Sequence, residues 1–220
     1  MKVYLVRHGE PSYTPCTQRH LKGQGRDLAA LNDDGINQIL TTTMPLLIGN
    51  DAQIILTSPY TRALQSASII AAKTGLITKS VHDLHEWIPD LTFNYTSYKE
   101  LKAIYQHFYE HKGIKDEIAL RDEYAVWEDI ETFRDRVNSA LLPYYGLYSS
   151  VIVVAHGMVI QSLCGRHIGY GEVFQMEFHP DMKFPEWQFT APKIETHDLK
   201  ISYHESLLKN KADILDEQTK

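Results

Sequence analysis

The sequence holds only two cysteines, Cys16 and Cys164, in 220 residues. They have no metal-ligand spacing and are too few for a disulfide framework, so the chain is expected to be reduced and cytoplasmic. No apolar run is long enough to cross a bilayer. The N-terminus enters a strand-like run at once, without the charged, apolar and small-residue succession of a signal peptide. No membrane partner is therefore expected. Positive charge is also short: 22 Lys and Arg stand against 28 Asp and Glu, a net charge of −6 with histidine neutral. That balance lacks the field of a nucleic-acid binder, yet it leaves room for a small basic pocket. Repeats and low-complexity tracts are missing too. What remains is a tyrosine-rich chain of ordinary hydrophobic content, long enough for one domain with a sizeable core and a lid.

Apolar runs over 2–7, 52–57 and 151–155 read as buried strands, with a shorter one near 77–82. Between the first two, residues 8–31 carry Pro11, Pro15, Gly23 and Gly25 and read as a long functional loop. Asn32 is the expected N-cap of a helix whose first turn holds Asp33 and Asp34. Ile36, Ile39, Leu40, Thr43 and Leu47 keep its period, and Pro45 is expected to kink or end it. Ser58 and Pro59 read as N-cap and first residue of the next helix, whose apolar face is Ala63, Leu64, Ala67, Ile70 and Ala71. Gly75 is its expected stop. Further helices are expected over 98–112, 130–148 and 158–167. The Tyr-rich stretch 88–125 reads as a lid or insertion, Trp187–Thr190 and Leu199–His204 as edge strands, and 206–220 as a polar tail that frays. Strands alternating with helices imply a three-layer α/β/α sandwich with a mostly parallel sheet.

In such a sheet ligands sit beyond the carboxyl ends of the strands. The first strand ends in Arg7-His8-Gly9 and the strand at 151–155 ends in His156-Gly157. Arg7 offers a planar, permanently charged fork for phosphate or carboxylate. His8 is a nucleophile when one ring nitrogen is held and the other faces a ligand. Gly9 lets the chain turn between them. Arg62 falls in the first turn of its helix, where backbone N–H groups and the dipole also favour an anion. Each of these residues alone is compatible with an ordinary surface or core role. Together they place phosphate-compatible groups at three neighbouring strand ends.

Arg7-His8-Gly9-Glu10, Ser58-Pro59-Tyr60-Thr61-Arg62-Ala63 and Val154-Ala155-His156-Gly157 together resemble the histidine phosphatase superfamily, the phosphoglycerate mutase-like proteins. Leu31, Gly35 and Gln38 match that family's Leu-x-x-x-Gly-x-x-Gln pattern, and the ordered match runs from residue 2 to about 165. The resemblance implies a phosphomonoester hydrolase, acid-phosphatase-like, acting through a phosphohistidine on His8. Arg7, Arg62 and His156 would hold the phosphoryl oxygens, with Gly157 beside them. No metal or other cofactor is implied, because two arginines and a protonated histidine supply the charge. The leaving alkoxide needs a general acid. The resemblance assigns it to Glu86 of Leu84-His85-Glu86, with Glu10 as the competing carboxylate.

The family's mutases carry an Arg and a Tyr-Gly after that glutamate, where this chain has Trp87-Ile88-Pro89-Asp90. Ser12, Tyr13 and Thr14 stand where the mutases have Asn and Phe. Both departures favour hydrolysis of a small phosphorylated substrate over mutase-type transfer. Tyr13, Trp87 and Glu10 are candidate substrate contacts, and Arg26 is a candidate for a second anion. Two rivals remain. His107-Phe108-Tyr109-Glu110-His111 matches an inverted zinc-peptidase pattern, though a polar helix face explains it more simply. A non-catalytic phosphate-binding or interaction module on the same fold is the other. Oligomeric state is left open.

Overall fold

The computed structural model describes residues 1–97 and 99–187. In chain order the elements are β1 (Lys2–Arg7), α1 (Thr14–Gln18), α2 (Asp33–Gln38), α3 (Met44–Leu47), β2 (Ile55–Thr57), α4 (Thr61–Thr74), β3 (Thr78–Ser80), α5 (Lys102–Glu110), α6 (Ile130–Leu141), β4 (Ser150–Ala155), α7 (Gly157–Cys164) and β5 (Val173–Glu177). The sheet runs β3-β2-β4-β1-β5. Four strands are parallel, and β5 closes the far edge antiparallel to β1.

Strand alternation sorts the core onto two faces. Val3, Leu5, Leu56, Val151 and Val153 point to one cluster, which takes in α5, α6 and α7 through Phe108, Phe133, Leu141 and Ile160. Val6, Ile55, Ile152 and Val154 point to the other, with Ile39 and Leu47 from the α2–α3 segment and Ala63, Ala67 and Ile70 from α4. Every residue of β4 is buried, as the central strand of a parallel sheet covered on both faces must be. The expected helix–sheet–helix layering is thus present.

Register aligns the functional ends. Arg7 pairs with Ala155, and Thr57 pairs with Val154. His8, Ser58 and His156 therefore leave adjacent strands at the same edge.

Several local expectations change. Around Pro45 the helix departs from regular α geometry: α2 widens into a π turn, Ile39–Thr43, before α3, which ends at Leu47. Proline brings no N–H to the ladder, and the one-residue-wider turn before it accommodates the missing bond. Helix α4 starts at Thr61, with Tyr60 rather than Ser58 at its N-cap position. Ser58 is turned into the cleft instead. The helix expected over 130–148 stops at Leu141 and closes in a 3-10 turn at Pro143. Strand β5 had no counterpart in the sequence reading, while Trp187 is buried outside any strand. Residues 188–190, 199–204 and 206–220 lie outside the described residues. Other expectations hold: Asn32 caps α2 through a 2.7 Å bond from Gly35 N–H, and Gly75 ends α4 in the left-handed region.

The segment 88–125 is mostly loop around α5. It brings Leu101, Ile104 and Phe108 to the main core, against Trp87 and Trp127. No helix among the described residues is long and apolar enough to cross a membrane.

Candidate active site

Two glycines set the geometry after β1. A Cβ on Gly9 would stand 2.2 Å from the Gly35 carbonyl oxygen, and one on Gly35 would stand 2.2 Å from the Glu10 carbonyl oxygen. The loop that follows β1 and helix α2 therefore interlock backbone to backbone. Gln38 completes the join by accepting from Glu10 N–H at 2.9 Å. Ser66 of α4 accepts from Gly9 N–H at 3.1 Å and donates to the Arg62 carbonyl.

His8 is buried, and its Nδ1 lies 2.7 Å from the Gly9 carbonyl oxygen. A carbonyl only accepts, so Nδ1 carries the proton and Nε2 keeps its lone pair. Arg62 Nε donates to that lone pair at 3.2 Å. Burial, then Arg62 and Arg7, push the His8 pKa well below its ordinary value. These effects favour the neutral imidazole.

Arg7 donates from Nη1 to the Ile168 carbonyl at 2.8 Å. Its guanidinium lies 4.0 Å from the Tyr170 ring centroid, a cation–π contact that fixes the plane of the fork. Gly157 lies directly beneath, where a Cβ would come 3.6 Å from the guanidinium carbon. Arg62 donates from Nη1 to Asp27 at 3.0 Å.

His156 is fully buried, and its ring lies 5.0 Å from that of His8. Its Nε2 is 2.7 Å from Ser58 Oγ, which in turn accepts from Tyr60 N–H at 3.2 Å. The Ser58 hydroxyl can donate to Nε2 or accept from it, so this contact holds the ring in place. The other ring nitrogen, Nδ1, is buried without a hydrogen-bond partner among the described residues, so it is free to meet a ligand. Burial, Arg62 and His8 push the His156 pKa well down. These effects favour the neutral imidazole at His156.

Glu86 accepts from Trp87 N–H at 2.9 Å and from Met158 N–H, in the first turn of α7, at 3.3 Å. Burial raises its pKa against both amides and both arginines. The Glu10 carboxylate is held by Asn32 Nδ2 at 2.8 Å. Tyr13 is half-buried, 5.3 Å from the Arg26 guanidinium and 6.0 Å from that of Arg62. Arg26 donates to the Thr96 carbonyl. Trp87 is buried in the core against Tyr105 and Phe108, with its indole N–H on the Glu128 carbonyl. Its ring belongs to the core, and its backbone N–H is what touches the site.

His107, expected on a wet helix face, is buried and accepts from the Trp127 indole through Nδ1 at 3.0 Å. No group of three or more His, Cys, Asp or Glu that could hold a metal ion occurs among the described residues.

Ser58, Asp27 and Tyr170 join the cleft without having been singled out from sequence. Ser58 had the right neighbourhood but read as a helix cap. Asp27 lies in the long loop and Tyr170 beyond the last recognisable motif.

Two histidines and two arginines at the carboxyl edge of a parallel sheet form a cleft suited to an anion. The model of the histidine phosphatase superfamily (branch 1) matches residues 3–183, and the chain belongs to that family. No curated protein sequence matches it. Among solved structures, a putative alpha-ribazole-5'-P phosphatase from Escherichia coli is 20% identical with a TM-score of 0.55, covering 80% of this chain and 89% of its own. Bacillus stearothermophilus YhfR is 18% identical with a TM-score of 0.62, over 81% of this chain and 91% of its own. A phosphoglycerate mutase from Bacillus anthracis is 17% identical with a TM-score of 0.59, over 86% and 92%. At these identities the likeness is one of fold.

Proposed function

We propose that the protein is a phosphomonoester hydrolase that works through a phosphohistidine on His8, without a metal, on a small phosphorylated substrate. The observation that carries this reading is the tautomer of His8. Its Nδ1–H is tied to the Gly9 carbonyl at 2.7 Å, so Nε2 presents a lone pair into a cleft with two arginines.

In the first step Nε2 attacks phosphorus in line, the P–O ester bond breaks, and its electron pair leaves on the alcohol oxygen. Glu86 donates the proton that oxygen needs; its raised pKa suits an acid that must be protonated before the reaction. The Gly9 carbonyl stabilises the positive charge that develops on the imidazole. Arg7, Arg62 and the Nδ1–H of His156 meet the charge on the equatorial oxygens. In the second step Glu86 takes a proton from water as it attacks the phosphohistidine, and His8 leaves neutral.

The family includes mutases as well as phosphatases. Trp87-Ile88-Pro89-Asp90, with Trp87 held in the core, stands where a mutase grips its phosphorylated acid, and this supports hydrolysis. A phosphate-binding module without chemistry is disfavoured because nucleophile, both arginines, second histidine and acid are all present. The test is rapid quench with a radiolabelled phosphomonoester. An acid-labile, base-stable label on the wild type, lost in His8→Ala together with turnover, is expected. Near-normal turnover of an aryl phosphate by His8→Ala would sink the mechanism. Transfer of the label to an added phosphorylated acceptor in preference to water would favour the mutase reading.

A further inference from the structure

The carboxylate of Asp27 has no part in the phosphoryl transfer described above, yet it stands in the cleft. Its Oδ1 accepts from Arg62 Nη1 at 3.0 Å, and its side chain is only 18% exposed. Arg62 Nε meanwhile reaches His8 Nε2 at 3.2 Å. His8, Arg62 and Asp27 thus form a hydrogen-bonded line leading away from the nucleophile. Around Asp27 lie the phenols of Tyr13, Tyr60 and Tyr95, whose ionisation its charge opposes. Tyr95 comes from the 88–125 segment, so this line joins the phosphate clamp to the lid. Arg26 also feels Asp27, but it donates to the Thr96 carbonyl and stacks near Tyr13.

One guanidinium therefore serves two anions when a phosphoryl group is bound. The phosphoryl oxygens take the side of Arg62 facing His8, and the Asp27 carboxylate holds the other side. We propose that Asp27 is a specificity-determining residue, whose carboxylate at the mouth of the phosphate pocket selects phosphomonoesters of neutral alcohols and rejects leaving groups that carry a second anion. The proposal rests on the phosphatase reading. A neutral polyol or ring offers hydroxyls to the carboxylate and an apolar face to the surrounding tyrosines. A carboxylate or second phosphate there meets a like charge in a poorly solvated site, a repulsive device of the kind that creates specificity. The same charge weakens the hold on inorganic phosphate and so favours product release.

Asp27→Asn isolates the charge, because the amide oxygen still accepts from Arg62 and keeps its orientation. Turnover of glycerol phosphate is compared with that of phosphoglycerate, whose leaving alcohol carries a carboxylate. Binding of inorganic phosphate and of orthovanadate is measured by calorimetry. In Asp27→Asn the phosphoglycerate-to-glycerol-phosphate ratio of kcat/KM is expected to rise about tenfold, and phosphate to bind about tenfold tighter. Tighter binding after loss of a side-chain charge cannot come from a partly unfolded variant. An unchanged ratio, or unchanged or weaker phosphate binding, overturns the proposal. Failure of the wild type to hydrolyse either ester would instead count against the phosphatase reading, while the phosphate titration would still decide the role of Asp27.

Discussion

Arg62 Nε donates to His8 Nε2 at 3.2 Å, so in the proposed mechanism the positive charge that holds the phosphoryl group rests on the lone pair that attacks it. A phosphate entering the cleft must take over this bond. The exchange releases the nucleophile at the moment the electrophile arrives. Arg62 also donates to Asp27 from Nη1, which keeps the guanidinium aligned while Nε moves from one partner to the other. A lysine has one charged nitrogen and cannot serve both. Arg62→Lys is expected to lower kcat/KM on the order of a hundredfold or more, with the loss seen as slower phosphohistidine formation in single-turnover quench. A loss confined to KM would show that Arg62 binds ground state and transition state alike.

In the proposed mechanism Ser58 donates to Nε2 of His156 across 2.7 Å, which leaves the proton of the ring on Nδ1. Ser58→Ala leaves Nε2 without its partner in a fully buried position. The expected cost is about 1–3 kcal/mol in stability, read as a fall in the urea midpoint. Activity should fall further than stability, because the Nδ1–H of His156 is no longer assured. Full activity in the folded variant would show that the proton on Nδ1 does not depend on Ser58.

The legibility of this chain follows its periodicity. Arg7, His8 and His156 could be found because each ends a near-continuous apolar run, and a buried strand in a parallel sheet must end at the ligand edge. Arg62 could be found because a helix start is marked chemically. Leu31, Gly35 and Gln38 could be seen as a pattern, but their reason is tertiary: Gly35 lies against Gly9 and Glu10, and Gln38 holds the Glu10 N–H. Asp27 and Tyr170 reach the cleft from irregular segments, where no period says which way a side chain points. Strand β5 is hard to read because it is a half-exposed edge strand, paired among the described residues with β1 alone. Ser58 shows the limit most clearly, since its local context is that of a helix cap and its actual partner is 98 residues away.

The Gly9–Gly35 contact gives a structural prediction. A methyl group on either residue would fall 2.2 Å from a backbone oxygen, and neither backbone can yield without moving the nucleophile loop off α2. Gly35→Ala is expected to destabilise by about 2–4 kcal/mol through this overpacking and strain. The loop it displaces carries His8, so activity should fall even below the melting transition. Thermal unfolding followed together with turnover checks both. A Gly35→Ala protein with unchanged midpoint would show that the two segments can separate freely.

The neutral state of His156 predicts a proton uptake. Burial, Arg62 and His8 hold its pKa well below the ordinary value. A bound dianion facing Nδ1 stabilises the imidazolium and raises that pKa. Binding of vanadate should therefore draw protons from solution between the depressed and the restored pKa, and affinity should fall as pH rises through that window. Calorimetry in buffers of different ionisation enthalpy measures the uptake. His156→Gln should lose it, whereas Glu86→Gln should retain it. Equal uptake in His156→Gln would move the proton to another group.

Glu86 must hold its proton to act as the acid, and burial raises its pKa. The sign follows directly: activity that needs the protonated carboxyl falls as pH rises through that raised pKa. Glu86→Gln cannot donate, so its residual activity should lose this dependence on the alkaline side. The loss should also follow the leaving group. An alkyl phosphate, whose alkoxide needs a proton, should slow by about 10²–10⁴-fold, and an aryl phosphate with an acidic phenol far less. Steady-state rates on a graded series of aryl and alkyl esters, taken across pH, separate the two effects. Equal losses along that series would transfer the acid role away from Glu86. Glu10, with its carboxylate held by Asn32 at 2.8 Å, would then be the group to substitute next.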